Sequence, residues 1–447
     1  MNNTESEFST YNLSKPLLSA LEEMDITTPT SIQAKTFSPI MSGKDVVGVA
    51  QTGTGKTFAY LLPTLRLWRF SKSPFPQILI MVPTRELVAQ VVEEARKLTR
   101  YMSFTTVGVY GGTNIRTQKA EVHQGADLVV GTPGRLLDLL LDGVLKTKNL
   151  QKLIIDEVDE MFNLGFRTQL FNIVEFLPDK RQNLMFSATL PDEVMDIISR
   201  FTEYYDRIEA APSGAPLSII EQMAYPADNF LTKVNLLEHL LRSTEDMTKV
   251  LIFVSTKKMA DALHERLVET IGDQVAVIHS SKSQNYRFAS VAAFGTGEVR
   301  CLIATDVIAR GLDVQGVSQV INFDLTSVPE TYIHRIGRTG RATERGQAIS
   351  FFGTEDAEMR EKIETLMEMK IADLAFPEGV EVTEELIPLE KTVEFVPFDT
   401  HKMKSHKPSG DAFHEKLDKN KKVNKRRDYI GEMKKKYKKQ YKKRKEK

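Results

Sequence analysis

Two short stretches of this sequence hold residues whose types and spacing could do chemistry. In QKLIIDEVDEMFNLGF (151–166) an aliphatic run ends in four carboxylates within five positions, Asp156, Glu157, Asp159 and Glu160. Like charges this close repel one another and are costly to desolvate unless something positive sits among them, so a cation is the expected neighbour. In AQTGTGKT (50–57) two glycines precede a lysine and a threonine. Backbone N–H groups at Gly53 and Gly55 can wrap phosphates because no Cβ blocks close approach, and a helix starting there adds its own positive field. Lys56 would reach the β and γ phosphates of a nucleoside triphosphate, and the Thr57 hydroxyl would hold Mg2+. The usual P-loop pattern has glycine where Ala50 stands, which makes this a variant of it.

The two stretches explain each other. Mg2+ riding on a nucleotide held by Lys56 and Thr57 would be bound through water by Asp156, at the end of the strand LII. Glu157, next door, would accept a proton from the attacking water. Asp159 is left to bridge to other elements, and Glu160 to face solvent. Each stretch also has a plainer reading: the carboxylates as the acidic start of a helix, which the helix dipole favours, and the glycines as a turn with no ligand.

Residues like these need a scaffold, and the chain supplies one. Short β-rich runs recur between helical stretches: KDVVGVA, QILIMVPT, DLVVGTP, KLIIDEVD and NLMFSAT, then KVLIFVST, VAVIHSS, RCLIATD, SQVINFD and GQAISFF. Continuous apolar strands alternating with helices imply parallel sheets covered on both faces, so the fold class is α/β. Around IEAAPSGAPLSII (208–220) the pattern pauses in Ala, Pro, Ser and Gly, which reads as a linker. The expected organisation is a first domain over 1–210, a linker over 211–220, a second domain over 221–375 and a C-terminal extension over 376–447. Residues 355–370 read as a closing helix, and no short internal repeat is visible. Nearly every polar signature follows a strand, at the edge where open α/β sheets bind ligands.

Composition narrows the class. A chain of 447 residues, 41% of them hydrophobic, can build cores for two or three domains. No apolar run approaches the roughly 18 residues that span a bilayer, and the start MNNTESEFST has no signal-peptide core, so a cytoplasmic protein with no membrane partner is expected. A single cysteine, Cys301, excludes an internal disulfide and a cysteine-built metal site. The net charge of zero hides an asymmetry: residues 401–447 carry twenty Lys and Arg against six Asp and Glu, which leaves forty against fifty-four in the rest. An acidic body therefore trails a basic tail, expected to be disordered when free, of a kind that binds polyanions such as nucleic acid; a merely solvated tail is the plainer reading.

Further signatures follow in order along the chain: Phe8 and PTSIQ (29–33), AQTGTGKT, PTRELVAQ (83–90), YGG (110–112), TPGR (132–135), DEVD (156–159), SAT (187–189), IFVSTKK (252–258), HSSKSQNYR (279–287), ATDVIARGLD (304–313) and HRIGRTGR (334–341). The Asn-Lys-x-Asp motif by which GTPases select guanine does not occur in the sequence; NKKV at 420, in the tail, is not a match. The set closely resembles the DEAD-box RNA helicase family, in the family's order and spacing, over roughly residues 8 to 370. The resemblance implies two RecA-like domains with ATP and RNA bound across the cleft between them. It also implies hydrolysis of ATP to unwind short RNA duplexes locally or remodel RNA–protein complexes, with ribonucleoprotein partners possible.

Residue by residue, the resemblance assigns Gln33 to the adenine edge, with Phe8 packed behind it, and leaves Lys56, Thr57, Asp156 and Glu157 the roles derived above. From the second domain Arg338 and Arg341 would reach the γ-phosphate, the latter as an arginine finger, and Asp313 the ribose. Ser187 and Thr189, bonded to Asp159, would couple closure to strand separation. Thr84, Arg85, Gly112, Thr132 and Arg135 of the first domain and Gln284, Arg287, Thr305 and Arg310 of the second would hold the RNA backbone, which positions without reading sequence.

The chain departs from the family pattern in places. Val158 replaces alanine in the name motif and, being β-branched, is expected to fit the strand. Asp25-Ile26 stands where Gly-aromatic is usual, HSSKSQ replaces HGDMSQ, and Thr326 stands for proline. Two rival readings are an ATP-gated RNA clamp without productive unwinding and a DNA translocase, the second disfavoured by PTSIQ and HRIGRTGR.

Overall fold

The computed structural model describes residues 7–51, 53–210, 220–306, 316–340 and 346–390. The linker up to residue 219, the basic tail, and Arg310, Asp313 and Arg341 lie outside the described residues.

The apolar runs become strands. In the first lobe β1 (Val46–Val49), β2 (Ile78–Met81), β3 (Thr106–Val109), β4 (Leu128–Gly131), β5 (Lys152–Ile155), β6 (Gln182–Ser187) and β7 (Asp206–Glu209) form a parallel sheet ordered β3-β4-β2-β5-β6-β1-β7. Successive strand residues point to opposite faces, so Val46 and Val47 enter different cores. One face is covered by α1 (Lys15–Glu23), α2 (Ser31–Met41), α3 (Lys56–Leu67) and α4 (Arg85–Leu98). The other is covered by α5 (Ile115–Gln124), α6 (Pro133–Leu141), α7 (Val158–Asn163), α8 (Arg167–Val174) and α9 (Asp192–Ser199). Helix α4 shows why such segments are helical. Thr84 caps it by accepting from Leu87 N at 3.2 Å, and Leu87, Val88, Val91, Val92, Ala95 and Leu98 give one buried stripe at helical spacing.

The second lobe repeats the plan. Strands β8 (Ile220–Pro226), β9 (Val250–Phe253), β10 (Val275–Ile278), β11 (Cys301–Ala304), β12 (Gln319–Asn322), β13 (Gly346–Phe352) and β14 (Ala372–Asp373) are ordered β10-β11-β9-β12-β13-β8-β14, again parallel. Adding seven to each label of the first sheet gives the second. The topology is duplicated although no sequence repeat is visible, because any apolar β-former satisfies a buried strand. Helices α10 (Phe230–Ser243) and α11 (Lys257–Ile271) cover one face, and α12 (Gln284–Thr296), α13 (Pro329–Ile336) and α14 (Ala357–Met367) the other.

Residues 376–390 pack onto the second lobe: Phe376, Val380 and Ile387 lie against its core. Asn229 and Thr232 donate to the Thr383 carbonyl, and Glu390 accepts from Phe230 N at 2.6 Å, at the N-terminus of α10.

Candidate active site

The polar signatures gather at the carboxyl ends of the strands. After β1, Ala50 N still donates to Ser187 O of the neighbouring strand at 3.0 Å, and the chain then turns through Gly53 (φ 79°) and Gly55 (φ 89°) into α3. Both angles lie in the left-handed region that only glycine enters cheaply. At Gly55 a Cβ would also fall 2.4 Å from Gln33 Nε2, which donates to the Gly55 carbonyl at 3.0 Å. The other end of that amide, Oε1, accepts from Thr30 N at 2.9 Å, so Gln33 caps α2 and braces the phosphate loop together. Phe8 is buried beside Tyr11, with ring centroids 5.7 Å apart.

Lys56, on the first turn of α3, is only 7% exposed, and its Nζ finds no hydrogen-bond partner among the described residues. Buried donors are normally hydrogen-bonded, so this ammonium marks a place for acceptors such as phosphate oxygens. Facing it, Asp156 follows β5. Its Oδ2 accepts from Tyr60 OH at 3.0 Å and its Oδ1 from Glu157 N at 2.9 Å. Burial pushes the Asp156 carboxyl up, against the pull of Lys56. Glu157 is buried, with Oε2 making no hydrogen bond among the described residues, and adopts a left-handed backbone at φ 52°. Burial raises its carboxyl to about 7 although Lys56 and Arg338 both pull it down.

The carboxylate run is thus the start of a helix as well as the end of a strand. Two expectations are corrected here. Val158 does not fit the strand, which ends at Ile155; it opens α7 and is buried in the core beneath. Glu160 does not face solvent: it is 2% exposed and its Oε1 lies 2.8 Å from His334 Nδ1 of the second lobe. The left-handed turn at Glu157 resets the phase of the short helix, so both acids of its first turn point inward.

Asp159 is the bridge. Its Oδ2 accepts from Thr189 N at 2.9 Å, Thr189 Oγ1 at 3.1 Å and Ala188 N at 3.1 Å, while its own N–H donates to Ser187 Oγ at 3.2 Å. Burial would raise this carboxyl, but His334, Lys56 and the Thr189 backbone hold it below its ordinary value. His334 Nε2 stands 3.7 Å from the same oxygen. Arg338 is buried close enough to Glu157 to act on its charge. The lobes therefore meet at the carboxylates.

They meet a second time among the residues assigned to RNA. Arg287 Nη1 pairs with Glu86 Oε1 at 2.8 Å, both side chains 6% exposed, and Gln284 Nε2 donates to the same Glu86 oxygen at 3.1 Å. Arg85 Nη1 donates to Gln284 Oε1 at 3.3 Å. Gly112 (φ 78°) lets the Arg85 guanidinium lie against the backbone, since a Cβ would fall 2.2 Å from Nη1. Arg135 is buried, donating to Gln118 Oε1 at 2.5 Å and the Thr113 carbonyl at 3.1 Å. Thr84 and Thr132 are the N-cap residues of α4 and α6, and Thr305 N donates to Ile278 O at 3.4 Å at the matching edge of the second sheet.

Four partners escaped the sequence reading: Glu86, Glu160, His334 and Arg335. Arg335 makes a bidentate contact with Asp306, at 2.5 and 2.9 Å, donates to the Asp324 carbonyl at 2.6 Å and lies over the Phe253 ring at 5.1 Å. The signal available for them was a charged residue inside or next to a motif whose neighbours are buried. At two departures the structure gives a reason: Asp25 adopts the left-handed backbone (φ 55°) that glycine would supply, and Thr326 Oγ1 donates to the Val328 carbonyl at 3.2 Å in a side-chain turn where proline is usual.

The fold and this site define a class. The DEAD/DEAH box helicase family pattern matches residues 30–197 and the helicase conserved C-terminal domain matches 232–343, and the chain belongs to the DEAD-box ATP-dependent RNA helicase family. It is 37% identical over 377 residues to the ATP-dependent RNA helicase DbpA of Bacillus subtilis, spanning 84% of this chain and 78% of that one. With the ATP-dependent RNA helicase eIF4A of Coccidioides immitis it shares 36% identity over 82% of this chain and 93% of the other. Among solved structures it is similar to S. cerevisiae Dbp5 bound to RNA and ADP BeF3, with a TM-score of 0.75 at 28% identity, over 82% of this chain and 95% of that chain. No helix among the described residues is long and apolar enough to cross a membrane.

Proposed function

We infer that this protein is an RNA-stimulated ATPase that separates short RNA duplexes or remodels RNA–protein complexes, with ATP and RNA held between its two lobes. The carrying observation is the buried Lys56 ammonium, without a hydrogen-bond partner among the described residues, close enough to the buried Glu157 carboxylate to act on its charge. Lys56 and the loop N–H groups bind the triphosphate, and Gln33, already braced against Gly55, presents its remaining donor and acceptor capacity to adenine. Phe8 supports that edge. Mg2+ fits the donor set, because the Thr57 hydroxyl and the Asp156 carboxylate are hard oxygen donors at one end of the phosphate loop, and when bound it would neutralise charge on the phosphates. Glu157 accepts the proton of the attacking water. Arg338 and Arg341 reach the γ-phosphate from the second lobe and Asp313 the ribose; the last two rest on the family pattern. The domain limits 1–210 and 221–375 and the coupling role of Ser187, Thr189 and Asp159 belong to the same reading. So does a cytoplasmic place of work, which the single buried thiol of Cys301, its proton affinity pushed up to about 12 by burial, suits.

Thr84, Arg85, Gly112, Thr132, Arg135, Gln284, Arg287, Thr305 and Arg310 hold the RNA backbone in this reading. ATPase measurements with single-stranded RNA and with DNA of the same sequence test it: stimulation by RNA well above that by DNA is expected, since the 2′-OH is the discriminator, and equal stimulation contradicts it.

Gly112→Ala isolates the RNA side. The left-handed backbone costs a non-glycine residue about 1–3 kcal/mol, and the new methyl displaces Arg85. RNA affinity is expected to fall about tenfold, as for the loss of one charge-assisted contact, while nucleotide binding without RNA stays unchanged. Titrations of RNA and of nucleotide against the variant check both halves.

Truncation after Pro397 isolates the tail. Each phosphate neutralised on a single strand contributes about 0.7 to the slope of log K against log salt, so even five of the twenty basic residues engaged would add roughly 3 to 4. The truncated protein should bind RNA more weakly at low salt, with a flatter salt dependence and nearly unchanged kcat at saturating RNA. An unchanged slope would remove the tail from the RNA contact.

A further inference from the structure

We propose that Glu160 is a positioning residue for ATP hydrolysis: from the first lobe it grips His334 of the second and thereby sets Arg338 against the nucleotide. This rests on the function inferred above. The geometry is that of two rungs between the same two elements. Glu157 stands at the N-cap position of α7 and Glu160 lies on its first turn; His334 lies on the last turn of α13, and Arg338 follows, its N–H donating to the Arg335 carbonyl at 3.1 Å. One rung sets Arg338 near Glu157, and the other is the 2.8 Å hydrogen bond of Glu160 to His334. A misplacement of about 1 Å in a group that must meet a transferring phosphate costs on the order of 10²-fold in rate, so a contact that fixes this spacing is felt in turnover.

Burial supports the assignment. Glu160 and His334 are both almost wholly excluded from water, and a carboxylate so placed is retained only with a positive or donating partner. Around His334 stand Glu157, Asp159 and Glu160 from the first lobe, with Lys56 behind them, and Arg335 and Arg338 on its own side. Burial alone would favour a neutral ring, but the bond to Glu160 and the charges of Asp159, Glu160 and Glu157 raise its proton affinity above the ordinary histidine value. The sign follows. The groups that raise this proton affinity belong to the first lobe, so the ring holds its proton to higher pH with the lobes together than apart. Joining of the lobes therefore draws its full contribution below the ordinary value and loses it as pH rises through the raised one.

The test uses the full chain with ATP, Mg2+ and a single-stranded RNA. Glu160→Gln keeps the volume and can still hydrogen-bond, so its melting curve should match wild type. At saturating ATP and RNA its kcat should fall about tenfold or more, while nucleotide binding without RNA is unchanged. Interlobe fluorescence transfer in the presence of RNA and a nonhydrolysable ATP analogue should show wild-type closure weakening as pH rises above 6.5 and the variant responding less. In a His334→Ala background, Glu160→Gln should add almost nothing, as expected for two members of one contact. Unchanged kcat and pH response in Glu160→Gln, or additive losses in the double variant, would overturn the assignment while Lys56→Ala still abolished turnover. Absence of RNA-stimulated hydrolysis in the wild type would instead overturn the function on which it rests.

Discussion

Glu157→Gln is expected to bind ATP and RNA within about twofold of wild type and to hydrolyse ATP some 10² to 10⁴ times more slowly, the usual worth of a positioned general base. The amide keeps the volume and the carbonyl oxygen of the side chain but cannot take a proton from water. Lys56, Thr57 and Asp156 are untouched. The fold should not suffer, because Glu157 Oε2 has no hydrogen-bond partner among the described residues and burial already raises the carboxyl to about 7. The left-handed turn at this position is equally awkward for either residue. Single-turnover hydrolysis beside nucleotide and RNA titrations separates the steps. Turnover near wild type would remove Glu157 from its role.

Lys56→Ala is expected to act unequally on the two states of the protein. Without nucleotide the ammonium makes no hydrogen bond among the described residues but is drawn to Asp156, Glu157 and Asp159, so its removal trades relief of a desolvated charge against loss of that attraction, and the melting temperature should change little. With nucleotide the same removal takes away the cation that faces the phosphates. Wild type at a hundred times its Kd for nucleotide gains about 2.7 kcal/mol from binding, and the variant should lose nearly all of that gain. Its hydrolysis should fall at least about 10²-fold, since charge stabilisation at a transferring phosphate is among the largest catalytic effects. Melting curves with and without an ATP analogue read both states together. A variant that melts lower without nucleotide but keeps the ligand-induced rise would mean that Lys56 serves the fold.

Much of this site was legible because strand ends and glycine turns announce themselves. The apolar runs became β1, β2, β4, β5 and β6 of the first sheet and β9 to β13 of the second, and the phosphate loop lies between a strand and a helix as its pattern requires. The other four strands were harder. Strand β7 reads DRIE, half exposed and charged, and β14 is only two residues long, so neither shows an apolar run. Strand β3 carries a glycine, and β8 ends in proline just beyond the linker. The carboxylates were legible as a cluster but not as individuals, because a left-handed residue at 157 shifts the phase of everything after it. The pairings of Glu86 with Arg287 and Glu160 with His334 join residues roughly 170 to 200 positions apart. No local pattern encodes them; they exist only because two separately built sheets present their carboxyl edges to each other.

Strand displacement tests the central claim most directly. A short RNA duplex with a single-stranded extension is mixed with excess protein, Mg2+ and a trap for the released strand, with and without ATP. Strand release is predicted with ATP in wild type, with little or none without nucleotide or in Lys56→Ala, and with RNA stimulating the accompanying hydrolysis. Release at the same rate without ATP, or hydrolysis that RNA does not stimulate, would contradict an ATP site completed between the two lobes on RNA.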